Sequence, residues 1–390
     1  MPIGASAFGE RAGRAFLRIG INTLFLIPTA VGGTESYVRN LLIHLQKIDR
    51  ENEYVIYTNL ENAGTFSLSA PNFREAICEI HAVRRPVRIV YEQFLSVRAR
   101  QDRLDVLHSP GYTAPLFLRC ANVVTLHDMN YHYFPEDWSR AGLIANRILI
   151  PLVAKSATLL LTISECSKKA IVDVLKIDPA RVRVVYHGID GNLPEVTPSE
   201  IAATLDKFQL KQFLLTVSAS HPHKNLDGLL AAYDRLIEKW PDAPTLVVCG
   251  PIGQHHKRLL ATRTKGRVLI TGWLTDKELA ALYRSARAFV FPSKYEGFGL
   301  PVLEAMSYGI PTVCSNASCL PEIAGGAALL VNPDDHAAIA EAIERACKDE
   351  VVRDQLITRG RERAAEFLWE KTARGTLDVY RDALKAHAAR

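Results

Sequence analysis

The sequence predicts an α/β protein of two doubly wound, parallel-sheet domains that face each other across a cleft. Apolar strand-like runs alternate with amphipathic helical patterns along the chain, which is typical of parallel sheets covered by helices. The alternation is interrupted once, by a polar segment at residues 191–211 that carries Pro194 and Pro198. With 390 residues the chain is long enough for two separate cores. We therefore expect an N-terminal domain at residues 1–190, followed by a linker and a second domain.

The N-terminal half starts with residues 1–17, which we interpret as a flexible leader. Its arginines are not followed by an adequate apolar core and a cleavage site, so a signal peptide is not indicated. After a loop that contains residues 32–35, a helix is expected to about Ile48, and Ser164 is placed to cap a helix that begins near Glu165. The strands of this half are expected at residues 17–25, 54–57, 106–108, 123–127, 158–163 and 182–186.

The C-terminal half repeats the alternation. Its strands are expected at residues 213–217, 245–249, 268–271, 288–291, 311–314 and 328–331. The second domain is placed at residues 212–370, and residues 371–390 are expected to form a helix that packs back on the first domain. Because ligands of open parallel sheets bind beyond the carboxyl ends of the strands, we expect one shared cleft between the halves.

Composition and charge exclude several classes of protein. The net charge of +5, from 47 basic and 42 acidic residues, is too small to predict nucleic-acid binding. Seven scattered cysteines without C-x-x-C spacing fit reduced thiols in the cytoplasm better than a disulfide framework. The sequence contains no run of 18 apolar residues, so no transmembrane helix is expected. A G-x-G-x-x-G turn after a strand is also missing, which argues against a nucleotide-dependent oxidoreductase.

The most informative stretch is residues 293–306, with the sequence SKYEGFGLPVLEAM, which follows the apolar run AFVFP. It predicts a buried strand, a glycine-rich turn and a helix, in which Pro301 suits the first turn and Gly309 the end. Glu296 lies in the turn, and Glu304 lies eight residues later, about one turn into the helix. Free N–H groups at the helix start favour an anion. Two carboxylates that can accept hydrogen bonds from hydroxyl groups, next to an anion site, suit a sugar joined to a phosphate.

The string EGFGLPVLEAMSYGIPTV from Glu296 onward resembles the E-x7-E motif of the family-4 retaining glycosyltransferases. The resemblance covers nearly the whole chain and is closest to a bacterial mannosyl- and rhamnosyltransferase branch with Leu-His-Asp and Pro-x-Lys-Asn strings. It implies the GT-B architecture of two Rossmann-like domains, with Glu304 on the nucleotide ribose and Glu296 on the donor sugar. The other turn residues implied in donor binding are Gly297, Phe298, Gly299 and Leu300.

Lys224 follows the first strand of the C-terminal half, where its charge can neutralise a diphosphate. The family has a matching lysine, usually in a Pro-Arg-Lys string, and often a further arginine several residues earlier. Here the string is Pro-His-Lys, with His223 in place of the arginine, and residues 218–220 contain no arginine. His221 or His223 is therefore the candidate for the second basic position, and we place His223 in the donor site.

Three further positions are implied by the resemblance. His127 follows a strand of the N-terminal half and matches the histidine that contacts the donor sugar near the reaction centre. The neighbouring Asp128 could orient the imidazole or contact the acceptor. Gly33 lies in a Gly-Gly loop whose amides can approach a phosphate or the acceptor. The turn expected to contact the nucleotide base, in which the tryptophan is either core or base-stacking, consists of Gly272, Trp273 and Leu274.

Residues 84–103 form a basic segment in which six arginines outnumber Glu92 and Asp102 and alternate with apolar residues. Such a segment predicts an amphipathic helix that either packs normally on its domain or lies on an anionic membrane surface. Peripheral contact with the inner face of the plasma membrane is therefore one expectation for this otherwise cytoplasmic protein.

The residues and the resemblance together predict a hexosyltransferase with Glu296, His127 and Lys224 as catalytic residues, which acts by positioning and charge stabilisation. GDP-mannose is the favoured donor, with UDP-sugars as alternatives, and the acceptor is a glycan or a lipid-linked glycan in cell-surface polysaccharide assembly. Because no Asp-x-Asp string occurs, neither a metal nor another cofactor is expected. The alternatives are a nucleotide-sugar epimerase of the same fold and a non-catalytic nucleotide-sugar-binding protein.

Overall fold

The computed structural model describes residues 16–28, 32–189, 194–218, 221–251, 253 and 267–389. Nearly all of the expected leader, residues 1–15, lies outside the described residues. The described chain contains one seven-stranded and one six-stranded sheet, and the strands of each sheet pair in parallel. The expected α/β architecture of two parallel-sheet halves is therefore confirmed.

The first sheet follows the strand order β3-β2-β1-β4-β5-β6-β7. Its strands are β1 (Arg18–Asn22), β2 (Glu53–Thr58), β3 (Phe73–Ile77), β4 (Val106–Ser109), β5 (Ala121–Thr125), β6 (Leu159–Thr162) and β7 (Val182–Val184). The helices of this half are α1 (Gly33–Ile48), α2 (Arg85–Gln101), α3 (Asn130–Tyr133), α4 (Arg140–Ser156) and α5 (Glu165–Leu175). The chain reverses its direction of winding between β1 and β4, so their carboxyl ends flank a crevice of the kind in which ligands bind.

The second sheet follows the order β10-β9-β8-β11-β12-β13. Its strands are β8 (Phe213–Val217), β9 (Thr245–Cys249), β10 (Val268–Gly272), β11 (Ala288–Phe291), β12 (Thr312–Ser315) and β13 (Leu329–Val331). The helices are α6 (Pro198–Phe208), α7 (Leu226–Lys239), α8 (Asp276–Ser285), α9 (Leu300–Ser307), α10 (Leu320–Ala324), α11 (His336–Lys348), α12 (Glu350–Ala364) and α13 (Trp369–Ala388). Winding reverses between β8 and β11, whose carboxyl ends carry the loops with Lys224 and Glu296.

The last helix, α13, packs against α1 and β5 of the first sheet. Trp369 and Tyr380 of α13 are fully buried in the same apolar cluster as Tyr37 of α1. The hydroxyl of Tyr380 also lies 2.8 Å from Nδ1 of His108, at the centre of the first sheet. The chain therefore ends on the half in which it began, while the expected domain limits remain a prediction.

All seven cysteines are free thiols, and six of them are buried. In the described part of the chain, no helix is both long enough and apolar enough to cross a membrane.

Candidate active site

A cavity of about 610 Å³ lies where the carboxyl ends of the two sheets meet. Residues from both halves line it, so the site is formed only when the halves are together. The predicted site residues that line the cavity are Gly33, His127, His223, Lys224, Glu296, Gly297, Phe298 and Leu300. The predicted site residues outside it are Glu304, Gly299, Gly272, Trp273 and Leu274.

The turn between β11 and α9 has the backbone that its glycines allow. Gly299 has a φ of 95°, in the left-handed region, and immediately precedes the first residue of α9, Leu300. A Cβ atom at Gly299 would also lie 2.6 Å from Cδ2 of Leu320. Pro301 occupies the first turn of α9, as expected from its missing N–H. The start of α9 thus faces the cavity with backbone N–H groups that favour an anion.

The same turn is docked on the N-terminal half at Gly297. A Cβ atom there would lie 2.8 Å from the carbonyl oxygen of His127 and 3.0 Å from Cβ of Asp128. The carbonyl oxygen of Gly297 accepts hydrogen bonds from Oγ of Ser164 at 2.8 Å and Oγ of Ser167 at 3.2 Å. Because real Cβ atoms do not approach other atoms so closely, only glycine permits this contact between the halves.

Lys224 and Glu296 form a salt bridge inside the cavity. Nζ of Lys224 lies 2.7 and 3.0 Å from the two carboxylate oxygens of Glu296. The lysine side chain is 20% exposed and the glutamate side chain 11% exposed, so both charges are largely removed from water. Nζ also lies 5.4 Å from the ring centroid of Phe291, at the end of β11. The two residues expected on different parts of a donor are therefore direct partners.

His127 is buried beneath the cavity as a neutral imidazole. Its Nε2–H donates to the carbonyl oxygen of Pro110 at 2.9 Å, and its ring packs edge-to-face with that of Tyr37, with the centroids 5.2 Å apart. Burial lowers the pKa of His127, although the Pro110 carbonyl and Asp128 act in the opposite direction. With Nε2 protonated, Nδ1 is left as an acceptor. His127 can therefore accept a hydroxyl proton in a hydrogen bond but carries no charge at neutral pH.

Asp128 is oriented by groups other than the imidazole. Its Oδ1 accepts hydrogen bonds from the hydroxyl of Tyr112 and the backbone N–H of Asn130, both at 3.0 Å. Its backbone N–H donates back to the Tyr112 hydroxyl at 3.1 Å. Of the two roles that the sequence leaves open, these contacts favour a carboxylate fixed to meet a ligand.

The histidines near Lys224 meet an acidic residue of the other half. Nδ1 of His223 donates to the carboxylate of Asp137, and Nδ1 of His221 lies 4.0 Å from the second oxygen of that carboxylate. The two rings stack with centroids 5.6 Å apart. Burial, together with Lys224, keeps the pKa of His223 below its usual value, although Glu296 and Asp137 act in the opposite direction. The histidine that replaces the family's arginine thus joins the halves as well as lining the cavity.

Glu304 faces away from this cavity, toward α8. The hydroxyl of Tyr283 donates to Oε2 of Glu304 at 3.2 Å. Burial raises the pKa of Tyr283 well above its usual value, with contributions from Glu304 and from Cys249 at the end of β9. Glu304 therefore lies toward the carboxyl end of β9, the side on which a nucleotide is expected.

The turn after β10 lies on the same side. The N–H of Gly250 donates to the carbonyl oxygen of Gly272 at 3.0 Å and so joins the ends of β9 and β10. Trp273 is 80% exposed, which excludes the core position that the sequence leaves open for it, whereas Leu274 packs against the C-terminal core.

Several residues that line the cavity escaped the sequence analysis. Asp137 and Trp138 lie at the end of a three-residue 3-10 helix, Pro135–Asp137, which is too short to show a periodic pattern in the sequence. His187 lies three residues beyond the end of β7, and a histidine shortly after a strand was a usable signal. Its ring stacks on Tyr37 at 4.7 Å, it is buried, and neither ring nitrogen has a hydrogen-bond partner in the described part of the chain.

Among the described residues, no group of three or more His, Cys, Asp or Glu side chains could hold a metal ion.

Two family profiles match the chain. One described as Glycosyltransferase Family 4 matches residues 31–192, and one described as Glycosyl transferases group 1 matches residues 199–363. Together they cover the second sheet and all of the first sheet except β1.

Individual proteins are also similar to the chain. The O-antigen chain mannosyltransferase B of Escherichia coli is 32% identical over 309 residues, which cover 76% of this chain and 81% of that protein. The O-antigen chain mannosyltransferase RfbU of Salmonella typhimurium is 26% identical over 290 residues, or 73% of this chain and 77% of that protein. The sucrose-phosphate synthase of Thermosynechococcus elongatus superposes with a TM-score of 0.75 at 20% identity, over 94% of this chain and 98% of that chain. This last likeness shows the fold.

Proposed function

Because the chain belongs to the family-4 glycosyltransferases with the two-domain GT-B fold, we propose that it transfers mannose from a nucleotide sugar to a glycan or lipid-linked acceptor. Membership of this family makes the protein a hexosyltransferase. Mannose is the favoured sugar, because two similar proteins of substantial coverage are named mannosyltransferases. We propose GDP-mannose as its activated form. Their names also support a place in the assembly of a surface polysaccharide.

The observation that carries the proposal is the meeting of Lys224, Glu296 and His127 in one cavity with the start of α9. A cation and free backbone N–H groups suit the diphosphate of a donor, and a carboxylate and an imidazole nitrogen suit the hydroxyls of its sugar. Glu304 and the turn at Gly272 would hold the nucleoside at the ends of the neighbouring strands. These assignments follow the family motif and are supported by the positions of the side chains.

In the proposed reaction the bond between the sugar C1 and the phosphate oxygen breaks, and the acceptor hydroxyl oxygen bonds to C1 on the same face. The hydroxyl proton passes to an oxygen of the departing diphosphate. Lys224 and the N–H groups at the start of α9 offset the negative charge that grows on that diphosphate. Glu296 and His127 hold the sugar so that C1 faces the acceptor.

A panel of nucleotide sugars in thermal unfolding tests the donor, because specific binding stabilises the folded state. GDP-mannose is expected to raise the unfolding temperature more than UDP-sugars. Acceptor-dependent release of the nucleoside diphosphate then supports transfer. Epimerised sugar formed from the donor alone would instead indicate an epimerase of the same fold.

Stereochemistry and metal dependence need separate measurements. The proposal predicts an α-linked product from an α-linked donor, visible in the anomeric proton signals of the product. It also predicts full activity after treatment with EDTA, since the sequence has no Asp-x-Asp string. A β-linked product contradicts retention, and loss of activity that added Mg²⁺ restores contradicts metal independence.

We extend the proposal to a peripheral membrane contact through α2 and α4. One face of α2 is buried against the domain. It carries Leu95 and a buried salt bridge in which Nη1 of Arg88 lies 2.8 Å from Oε1 of Glu92. The opposite face exposes a row of apolar side chains, and α4 adds more beside it. The exposed apolar residues are Val87, Val90, Phe94, Val97, Ile144, Ile148 and Leu152. Apolar side chains flanked by arginines suit an anionic lipid surface.

Sedimentation with lipid vesicles tests this contact. The protein is expected to sediment with phosphatidylglycerol vesicles and not with phosphatidylcholine vesicles. Val90→Glu combined with Phe94→Glu should abolish sedimentation, whereas Val351→Glu, an exposed apolar position on α12, should not. Equal sedimentation of all variants would exclude α2 as the contact.

A further inference from the structure

A second cavity, of about 540 Å³, lies in the N-terminal half and adjoins the cavity that contains Lys224 and Glu296. Four residues line both cavities, namely Thr34, Tyr112, Asp128 and Trp138. The second cavity then extends away from the cleft between α2 and α4, where Arg85 and Asn146 line it. Its volume lies in the range of ligand pockets. Asp128, fixed by Tyr112, stands at the junction, next to the place where a sugar C1 is expected.

The far end of this cavity holds an excess of positive charge. Nη2 of Arg85 donates to Oδ1 of Asn146 at 2.7 Å, and this partner is a neutral amide. In the part of the chain that the structure describes, no carboxylate lies within salt-bridge distance of Arg85, because the nearby Glu92 is paired with Arg88. Nη1 of Arg85 also faces the first turn of α4, 3.8 Å from the position of a Cβ at Gly142.

The surroundings of Arg85 disfavour the charged form of its half-buried guanidinium. Burial lowers the pKa of Arg85, and the adjacent Arg88 lowers it further. The first turn of α4 adds the positive end of a helix dipole. An anion beside Arg85 would offset all three effects, and a guanidinium has the planar geometry to bind two phosphate oxygens at once.

We propose that the second cavity holds the acceptor and that Arg85 binds a phosphate group of this acceptor. The inference rests on the proposed function and names the class of its second substrate: a sugar that carries a phosphate. The reacting hydroxyl lies at the Asp128 end, and the phosphate lies between α2 and α4.

The wall between these two ends suits a sugar ring. Trp138 and Tyr131 provide aromatic surface, and Asn146 provides a planar amide whose N–H groups remain available to hydroxyls. Val83 lines the cavity and is also largely exposed, immediately before the apolar row of α2. The phosphate can therefore belong either to a soluble sugar phosphate or to a diphosphate that joins the sugar to a lipid lying on that row.

Calorimetry with a soluble probe tests the phosphate subsite. The full chain is saturated with GDP, so that the diphosphate site at Lys224 is occupied, and is then titrated with mannose 1-phosphate or with methyl α-mannoside. The wild type is expected to bind the phosphate about tenfold more tightly than the neutral sugar. Arg85→Gln should abolish this preference. Arg84→Gln, which removes the neighbouring exposed arginine, is the matched control and should retain it.

Two outcomes overturn the subsite: equal affinity of the wild type for both probes, or an unchanged preference in Arg85→Gln. The titration with GDP is read separately. If neither GDP nor any GDP- or UDP-sugar binds, the proposed function is wrong. If GDP binds but Arg85→Gln leaves the preference for mannose 1-phosphate unchanged, only the phosphate subsite is wrong.

Turnover with two acceptors then identifies the source of the phosphate. Transfer to a prenyl-diphosphate-linked sugar and transfer to a soluble sugar 1-phosphate are compared, each with a neutral glycoside of the same sugar. In Arg85→Gln, the KM for the preferred phosphorylated acceptor should rise about tenfold, with an unchanged KM for the donor. Equal use of the neutral glycoside by the wild type contradicts the proposal.

Discussion

Nζ of Lys224 lies 2.7 Å from one carboxylate oxygen of Glu296 and 3.0 Å from the other, inside the cavity between the two halves. The family motif places the lysine on a diphosphate and the glutamate on a sugar, and these two parts of a donor are adjacent. The salt bridge therefore holds both groups in position for neighbouring atoms. It also means that removing either side chain leaves the other charge largely buried and unpaired.

Lys224→Ala and Glu296→Ala are each expected to lower kcat/KM by about 100-fold or more, because the proposed function places both charges at the reacting centre. Each should also cost about 1–3 kcal/mol of unfolding free energy, from the unpaired partner. Urea unfolding and steady-state kinetics measure the two effects. Lys277→Ala, which breaks an exposed pair with Glu200, is the control and should change stability by less than about 1 kcal/mol. Full activity in either cleft variant would remove the role assigned to that residue.

Gly297→Ala is expected to lower kcat about tenfold or more while nucleotide binding to the C-terminal half persists. The added Cβ would lie 2.8 Å from the carbonyl oxygen of His127, so the two halves must separate slightly. Gly360→Ala on α12 is the matched control, since its nearest contact, Cγ of Met306, is 3.3 Å away and lies within the same half. Wild-type kcat in Gly297→Ala would show that the contact between the halves is not needed for catalysis.

Glu322→Ala is expected to destabilise the protein by about 1–2 kcal/mol. The Glu322 carboxylate accepts hydrogen bonds from the backbone N–H groups of Glu165 and Cys166, at 2.8 and 3.0 Å, and so caps α5 from the opposite half. The hydroxyl of Tyr186 donates to it as well, at 2.9 Å. Urea unfolding checks the change, with the exposed Glu366→Ala as control. Equal stability of the two variants would argue against a cap between the halves.

The buried histidines predict a loss of stability in mild acid. Burial lowers the pKa of His108 to about 3 and that of His187 well below its usual value. As the pH falls below about 6.5, the unfolded chain takes up these protons and the folded protein does not. Stability that is present above this pH is therefore lost by about 1.4 kcal/mol per pH unit for each such histidine, until the folded pKa is reached.

His187→Phe isolates one of these contributions. Phenylalanine keeps the stacking on Tyr37 but cannot be protonated, so the variant should lose about 2 kcal/mol less than the wild type between pH 6.5 and 5. Urea unfolding at both values of pH gives the difference. His132→Phe, at an exposed position, is the control and should follow the wild type. The same pH dependence in His187→Phe would show that this ring does not titrate as its burial requires.

Most of the fold could be predicted from the sequence because parallel strands buried on both faces are continuous apolar runs. The strand β3, with the sequence FREAI, was not predicted. It lies at the edge of the first sheet and is only partly buried, so it does not need a regular pattern of apolar residues. The strand β5 begins at Ala121, two residues before its expected start, because Asn122 is buried in the sheet and interrupts the apolar pattern.

The candidate site was predictable only in part. A motif gives the positions of Glu296 and Lys224 but cannot show that they are hydrogen-bonded to each other. The same holds for contacts between distant segments, such as His223 with Asp137, because sequence spacing carries no information on which loops of the two halves meet. Arg85 looked like one of six arginines in a basic segment, and only its hydrogen bond to Asn146 of α4 and its place in the cavity wall set it apart.

Calorimetric titration of the wild type and of Lys224→Ala with GDP-mannose tests the central claim most directly. The proposal predicts one site per chain in the wild type and an affinity at least about tenfold lower in Lys224→Ala, because the lysine meets the diphosphate. Equal affinity of the two proteins, or no heat of binding with GDP-mannose or any UDP-sugar in the wild type, would contradict a nucleotide-sugar site at Lys224 and Glu296.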